Sequence, residues 1–179
     1  MNLPNKITIF RMLMVPLFVV FMLVPSIPYA KYLAAAVFII AALSDLLDGY
    51  IARKNNLVTN FGKFMDPIAD KLLVCSALIC FVELKLIPAW AVIIIIAREF
   101  IISGFRLVAS DSGIVIAASY FAKLKTNVQM VMSVLLIVNL DYYFINILEQ
   151  ISIYLAVILT VVSLIEYVLK NKNVLKEKD

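Results

Sequence analysis

The chain alternates long apolar stretches with short polar interruptions. Apolar runs cover residues 7–24, 32–52, 67–86, 88–109, 120–140 and 147–169. Each is close to the ~20 residues that an α-helix needs to cross a hydrocarbon core of ~30 Å. The interruptions Pro25-Ser26-Ile27-Pro28, Lys85-Leu86-Ile87-Pro88 and Asp141-Tyr142-Tyr143 are poor helix interiors. The second and fourth connections are longer and more polar, which places them on one side of the bilayer. The pattern predicts an all-α integral membrane protein of six transmembrane helices, one domain over residues 1–179.

Composition strengthens that expectation. The chain is 64% hydrophobic and only 16% charged, with a mean hydropathy of +1.03, against roughly 45–50% apolar content in soluble domains. A water-soluble monomer, a disordered chain and a fibrous repeat are all excluded. The first run begins with Lys6 and Arg11 like a secretory signal, but its length, the lack of a clear cleavage site and the runs that follow predict a retained helix.

Charge sets the orientation. Of 16 Lys and Arg, only Lys31 and Lys85 fall in the short connections after the first and third runs. The others lie at the N-terminus, around the second and fourth connections and in the tail beyond residue 169. The positive-inside rule then puts both termini in the cytoplasm of a multi-pass cell-membrane protein. The net charge of +4 becomes a surface facing anionic headgroups, with no role for nucleic acid. The absence of histidine excludes imidazole chemistry. Cys75 and Cys80, five apart in an apolar run, are core or lipid-facing residues.

Aspartates then define the chemistry. Asp45 and Asp48 sit at the end of the second run, and Asp66 and Asp70 at the start of the third. Asp45 is expected inside the cytoplasmic leaflet, where an ionisable group marks a cavity or a site. The i, i+3 and i, i+4 spacings put each pair on one helix face, and a hairpin through a polar linker from Lys54 to Lys63 would bring the faces together. Four converging carboxylates need cations, and all-oxygen ligation selects Mg²⁺ or Mn²⁺, two ions per site, the arrangement used in phosphoryl-type displacements. Gly49 and Ala52 clear one face of the second helix for a phosphate or sugar, or for close helix packing. Arg53 at its end suits a phosphate or an interfacial anchor.

The string Asp45-x2-Asp48-Gly49-x2-Ala52-Arg53-x8-Gly62-x3-Asp66-x3-Asp70 resembles, at every fixed position, the motif of the CDP-alcohol phosphotransferase family. The resemblance implies transfer of a phosphatidyl group from a CDP-linked donor to an alcohol, with release of CMP, in a site open to the cytoplasmic leaflet. It implies that Asp45, Asp48, Asp66 and Asp70 hold the metals and that Asp70 is also the general base. Gly49, Ala52, Arg53 and Gly62 would line the donor site. So would Asn5, Thr8 and Arg11, which follow one another at i, i+3, i+6 and resemble the family's N-terminal segment. Thr59 in the linker is a further donor-site candidate, and the resemblance favours a homodimer.

The family leaves the acceptor open, and a second polar cluster narrows it. Arg98 lies deep in the fourth run, with Arg106, Lys123 and Lys125 nearby in sequence. A buried arginine needs an anion, and the adjacent Glu99 is expected to diverge from it, so an acceptor phosphate is the expected partner of these four cations. The segments around Arg98 to Arg106 and Lys123 to Lys125 resemble family members that use CDP-diacylglycerol and glycerol 3-phosphate and make phosphatidylglycerol phosphate. Members that use inositol phosphate or phosphatidylglycerol are the nearest alternatives. A divalent-cation channel or carrier is a more distant one, because the membrane charges gather in the cytoplasmic half.

Overall fold

The computed structural model describes residues 2–24, 26–54, 60–111 and 119–171. Those residues are helical apart from short turns. The helices are α1 (Leu3–Leu23), α2 (Ala30–Lys54), α3 (Asn60–Glu83), α4 (Ala89–Asp111), α5 (Tyr120–Val138) and α6 (Tyr143–Lys170). Helix order and number match the apolar runs, but two boundaries move. α3 starts at Asn60, so the polar linker expected from Lys54 to Lys63 contracts to residues 55–59, which lie outside the described residues. Tyr143, expected in an interruption, opens α6. Hydropathy marks where a helix meets hydrocarbon, whereas the helix itself can begin a turn or two earlier in polar sequence.

Local chemistry explains the ends. Asn2 caps α1 by accepting a hydrogen bond from the Asn5 backbone N–H at 3.3 Å, and Pro4 occupies the first turn, where its missing N–H costs nothing. After α3 the Leu86 N–H bonds to the Phe81 carbonyl at 2.8 Å and the Lys85 N–H to that of Val82 at 3.0 Å. This nested pair is a Schellman closure, and it places Lys85 in the left-handed region at φ 59° without a glycine. Asn139, a residue that tolerates this region, ends α5 at φ 40°.

Backbone contacts divide the chain into two compact units: Met1–Leu86 with Ser133–Leu140, and Ile87–Met132 with Asp141–Asp179. In the first, α1 packs on α2 and α3. Val15 and Phe18 of α1 are buried, as are the small residues Ala34 and Ala41 of α2 and Ala69 and Ala77 of α3, and small residues let helix backbones approach. The rings of Phe18 and Phe38 stand 5.8 Å apart between α1 and α2. In the second unit α4 packs on α6, and Ile95 and Ile102 of α4 and Ile153 and Ala156 of α6 are buried.

Large apolar side chains such as Leu13, Ile93, Leu107 and Ile158 are more than half exposed, while polar ones lie inside. That inversion is the signature of a protein bathed in hydrocarbon. Among the described residues, three helices are long and apolar enough to cross a membrane, over Asn5–Leu23, Tyr120–Val138 and Tyr143–Lys170. α4 is interrupted by Arg98, Glu99 and Arg106.

Candidate active site

In the first unit, one stripe of α1 changes character along its length. Asn5, Thr8 and Arg11 are buried polar residues, and the same stripe continues into buried Val15 and Phe18. Spacings of three and four keep these on one side of the helix, so the polar group sits at the N-terminal end of a face that is otherwise core. Arg11 reaches from this face to α2, where its Nη1 pairs with Oδ1 of Asp45. The guanidinium is sealed, with 1% of the side chain exposed, whereas Asp45 retains 38%. The carboxylate therefore neutralises a cation that water cannot reach, while still facing open space itself. Ser44, next to it, is turned back on its own helix by a 2.7 Å hydrogen bond from Oγ to the Ala41 carbonyl.

Asp70 is exposed on α3, directly after buried Ala69. The side chains of Asp48, Ala52, Arg53 and Asp66, and the surroundings of Gly49 and Gly62, lie outside the described residues, although these positions belong to α2 and α3. Thr59 lies wholly outside them. Among the described residues no three acidic, cysteine or histidine side chains gather to hold a metal. The available donors, Asp45 with an accessible carboxylate and exposed Asp70, are all-oxygen and fit a hard divalent cation.

The second unit holds the basic cluster. Arg98, at 5% exposure, lies on the stripe of α4 that faces α6. Its Nε donates to Ser163 Oγ at 3.2 Å, and its Nη1 to Glu99 Oε1 at 3.0 Å. Lys125 of α5, buried at 1%, pairs with that same Glu99 oxygen. The expectation that Glu99 diverges from Arg98 is thus corrected. Neighbouring side chains leave a helix in different directions, but both of these are long enough to bend back and meet. Arg106 and Lys123, the other two cations proposed for the acceptor, are exposed.

Sequence reasoning missed Glu99 as a hub and Ser163 as its companion. It also missed Gln129 and Ser133, buried on α5 with Oε1 and Oγ unpaired among the described residues. A signal was present: Lys125, Gln129 and Ser133 recur every fourth residue, and Glu149, Ser152, Thr160, Ser163 and Tyr167 fall on one buried face of α6.

Comparison with known proteins places this arrangement. The chain belongs to the CDP-alcohol phosphatidyltransferase family, whose model matches residues 1–162. It is similar to a protein of Bacillus subtilis named CDP-diacylglycerol--glycerol-3-phosphate 3-phosphatidyltransferase, at 48% identity over 98% of this chain and 97% of that one. A protein of the same name from Haemophilus influenzae is 40% identical over 93% and 91% of the two chains. A third, from Escherichia coli, is 38% identical over 73% of each.

Proposed function

We propose that this chain transfers the phosphatidyl group of CDP-diacylglycerol to glycerol 3-phosphate, releasing CMP and phosphatidylglycerol phosphate. The observation that carries the choice of acceptor is the pairing of Arg98 and Lys125, two buried cations brought to one carboxylate. An acceptor bearing a phosphate has use for such a pair, and a neutral alcohol has none. The names of the full-length relatives support the same assignment.

In this reading Asn5, Thr8 and Arg11, with Gly49, Ala52, Arg53, Thr59 and Gly62, receive the CDP part of the donor. Asp45, Asp48, Asp66 and Asp70 hold two divalent cations, Mg²⁺ or Mn²⁺. When bound, these cations polarise the donor diphosphate and offset the charge that builds up on departing CMP. Asp70 takes the proton from the acceptor's primary hydroxyl, consistent with its exposed position on α3. Arg98, Arg106, Lys123 and Lys125 bind the acceptor phosphate and so orient that hydroxyl. The reading also includes six membrane spans, both termini in the cytoplasm, a polar cavity at the cytoplasmic leaflet and a homodimer in the cell membrane.

The test is CMP release by purified protein in detergent with CDP-diacylglycerol and Mg²⁺. It compares glycerol 3-phosphate, inositol 1-phosphate, serine, phosphatidylglycerol and no acceptor. Release with glycerol 3-phosphate alone is expected, lost on chelation and restored by Mg²⁺ or Mn²⁺. Release with another acceptor keeps the family and overturns the substrate.

A further inference from the structure

Glu99 has no part in the roles above, yet the basic cluster is organised around it. One of its oxygens, Oε1, accepts from both Arg98 Nη1 and Lys125 Nζ. Both cations are buried, and the anion that serves them is neither distant nor fixed deep inside, since the Glu99 side chain keeps 22% exposure. It neutralises charge that burial has taken from water, where an ionised group is costly unless it is paired. A carboxylate and a phosphomonoester ask for the same donors in the same way, through oxygens that accept charge-assisted hydrogen bonds from guanidinium and ammonium groups. They also repel each other, so a phosphate arriving at Arg98 and Lys125 finds a negative charge already holding the place.

We propose that Glu99 is a resident stand-in for the acceptor's phosphate: it occupies Arg98 and Lys125 while the site is empty, yields them to the incoming anion, and thereby sets acceptor affinity. The proposal rests on the assignment of Arg98 and Lys125 to that phosphate. Ser163 makes the exchange orderly. Its hydroxyl accepts from Arg98 Nε, the edge that Glu99 does not use, so the guanidinium stays anchored while its Nη1 changes partner. The partial exposure of Glu99 provides the direction in which it retires, toward water.

This role differs from that of a permanent structural bridge in the sign of its effects. Glu99→Gln keeps the shape and an accepting oxygen but removes the charge. If Glu99 only braces the cations, its loss loosens them and acceptor binding weakens. If it stands in for phosphate, its loss removes a competitor and binding tightens.

The experiment uses the full chain in detergent, wild type and Glu99→Gln, with inorganic phosphate as the probe. Without phosphate the variant should melt at a lower temperature than wild type. Phosphate should then raise its Tm by more than it raises that of wild type. In CMP release, the KM for glycerol 3-phosphate should fall roughly tenfold, the size expected when a nearby like charge is removed from a partly buried anion site. The KM for CDP-diacylglycerol should not move. A phosphate shift no larger in the variant, or an acceptor KM that rises or stays put, overturns the proposal and leaves the phosphate site standing. A Tm that fails to respond to phosphate in either protein overturns the site assignment and the proposal together. If Glu99→Gln does not fold, Glu99→Asp serves, because it keeps the charge but is one methylene too short to hold both cations, and its acceptor KM should fall by a smaller factor.

Discussion

Arg11 of α1 and Asp45 of α2 form an ion pair across 34 positions of the chain, and the two partners are unequally exposed to water. The pair ties the helix that carries Asn5 and Thr8 to the first aspartate of the family motif. A charged pair inside a membrane protein marks function more reliably than it stabilises the fold, because desolvation cancels most of the attraction. Arg11 is the sealed member of the pair and Asp45 the accessible one.

That asymmetry predicts a difference between two aspartates of the motif. Asp45→Asn takes the charge from a carboxylate that pairs with a sealed guanidinium and should cost up to about 3 kcal/mol of stability. Asp70→Asn changes an exposed position and should stay within about 1 kcal/mol. Thermal unfolding in detergent with a chelator present reads the difference free of metal binding. Equal shifts in the two variants would contradict the unequal burial.

At Asp70, stability and activity should part. Asp70→Asn should fold normally and yet lower turnover by roughly 10²–10⁴, the usual contribution of a general base. CMP release under saturating CDP-diacylglycerol and glycerol 3-phosphate measures it. Near-full turnover in a folded variant would remove Asp70 from the proton-transfer role.

How far the sequence reached follows from what each feature depends on. Helix number and order were legible because bilayer thickness imposes a length on every apolar run. The start of α3 was not, since Asn60, Gly62 and Lys63 interrupt the apolar pattern there and nothing in hydropathy separates such a helix turn from a linker. The polar face of α1 was legible through the spacing of Asn5, Thr8 and Arg11, as periodicity reports the side of a helix. What that face meets was not, because the contact between Arg11 and Asp45 is set by packing between helices. The same limit hid Ser163, which lies 65 positions from Arg98 and looks in isolation like any serine in a membrane helix.

The basic cluster should separate into two classes by salt. Arg106 and Lys123 are exposed, so their pull on an anionic acceptor is screened within ~10 Å at 0.1 M ionic strength. Replacing both with alanine should raise the acceptor KM several-fold at low salt, and the difference from wild type should vanish near ~0.5 M. Arg98 is buried, and Arg98→Ala should raise the acceptor KM at every ionic strength while leaving the donor KM unchanged. A salt series of acceptor titrations checks this, and the same salt response from both kinds of variant would refute the division.

Ser163 offers the finest test of how the acceptor cations are held. Its hydroxyl donates to the Thr160 carbonyl at 3.0 Å and accepts from Arg98 Nε at 3.2 Å, so one small side chain links the backbone of α6 to the guanidinium on α4. Ser163→Ala preserves the helix but leaves a buried charged donor unpaired, a change usually worth ~1–3 kcal/mol. Part of that appears as lost stability, and part as freedom of the guanidinium to leave its orientation, which should raise the acceptor KM by about three- to tenfold. The donor KM should hold. Ser163→Thr restores the oxygen at the same place on the helix and should recover most of the acceptor affinity. A purely packing role for Ser163 would be indicated if alanine left the acceptor KM unchanged, or if threonine failed to restore what alanine lost.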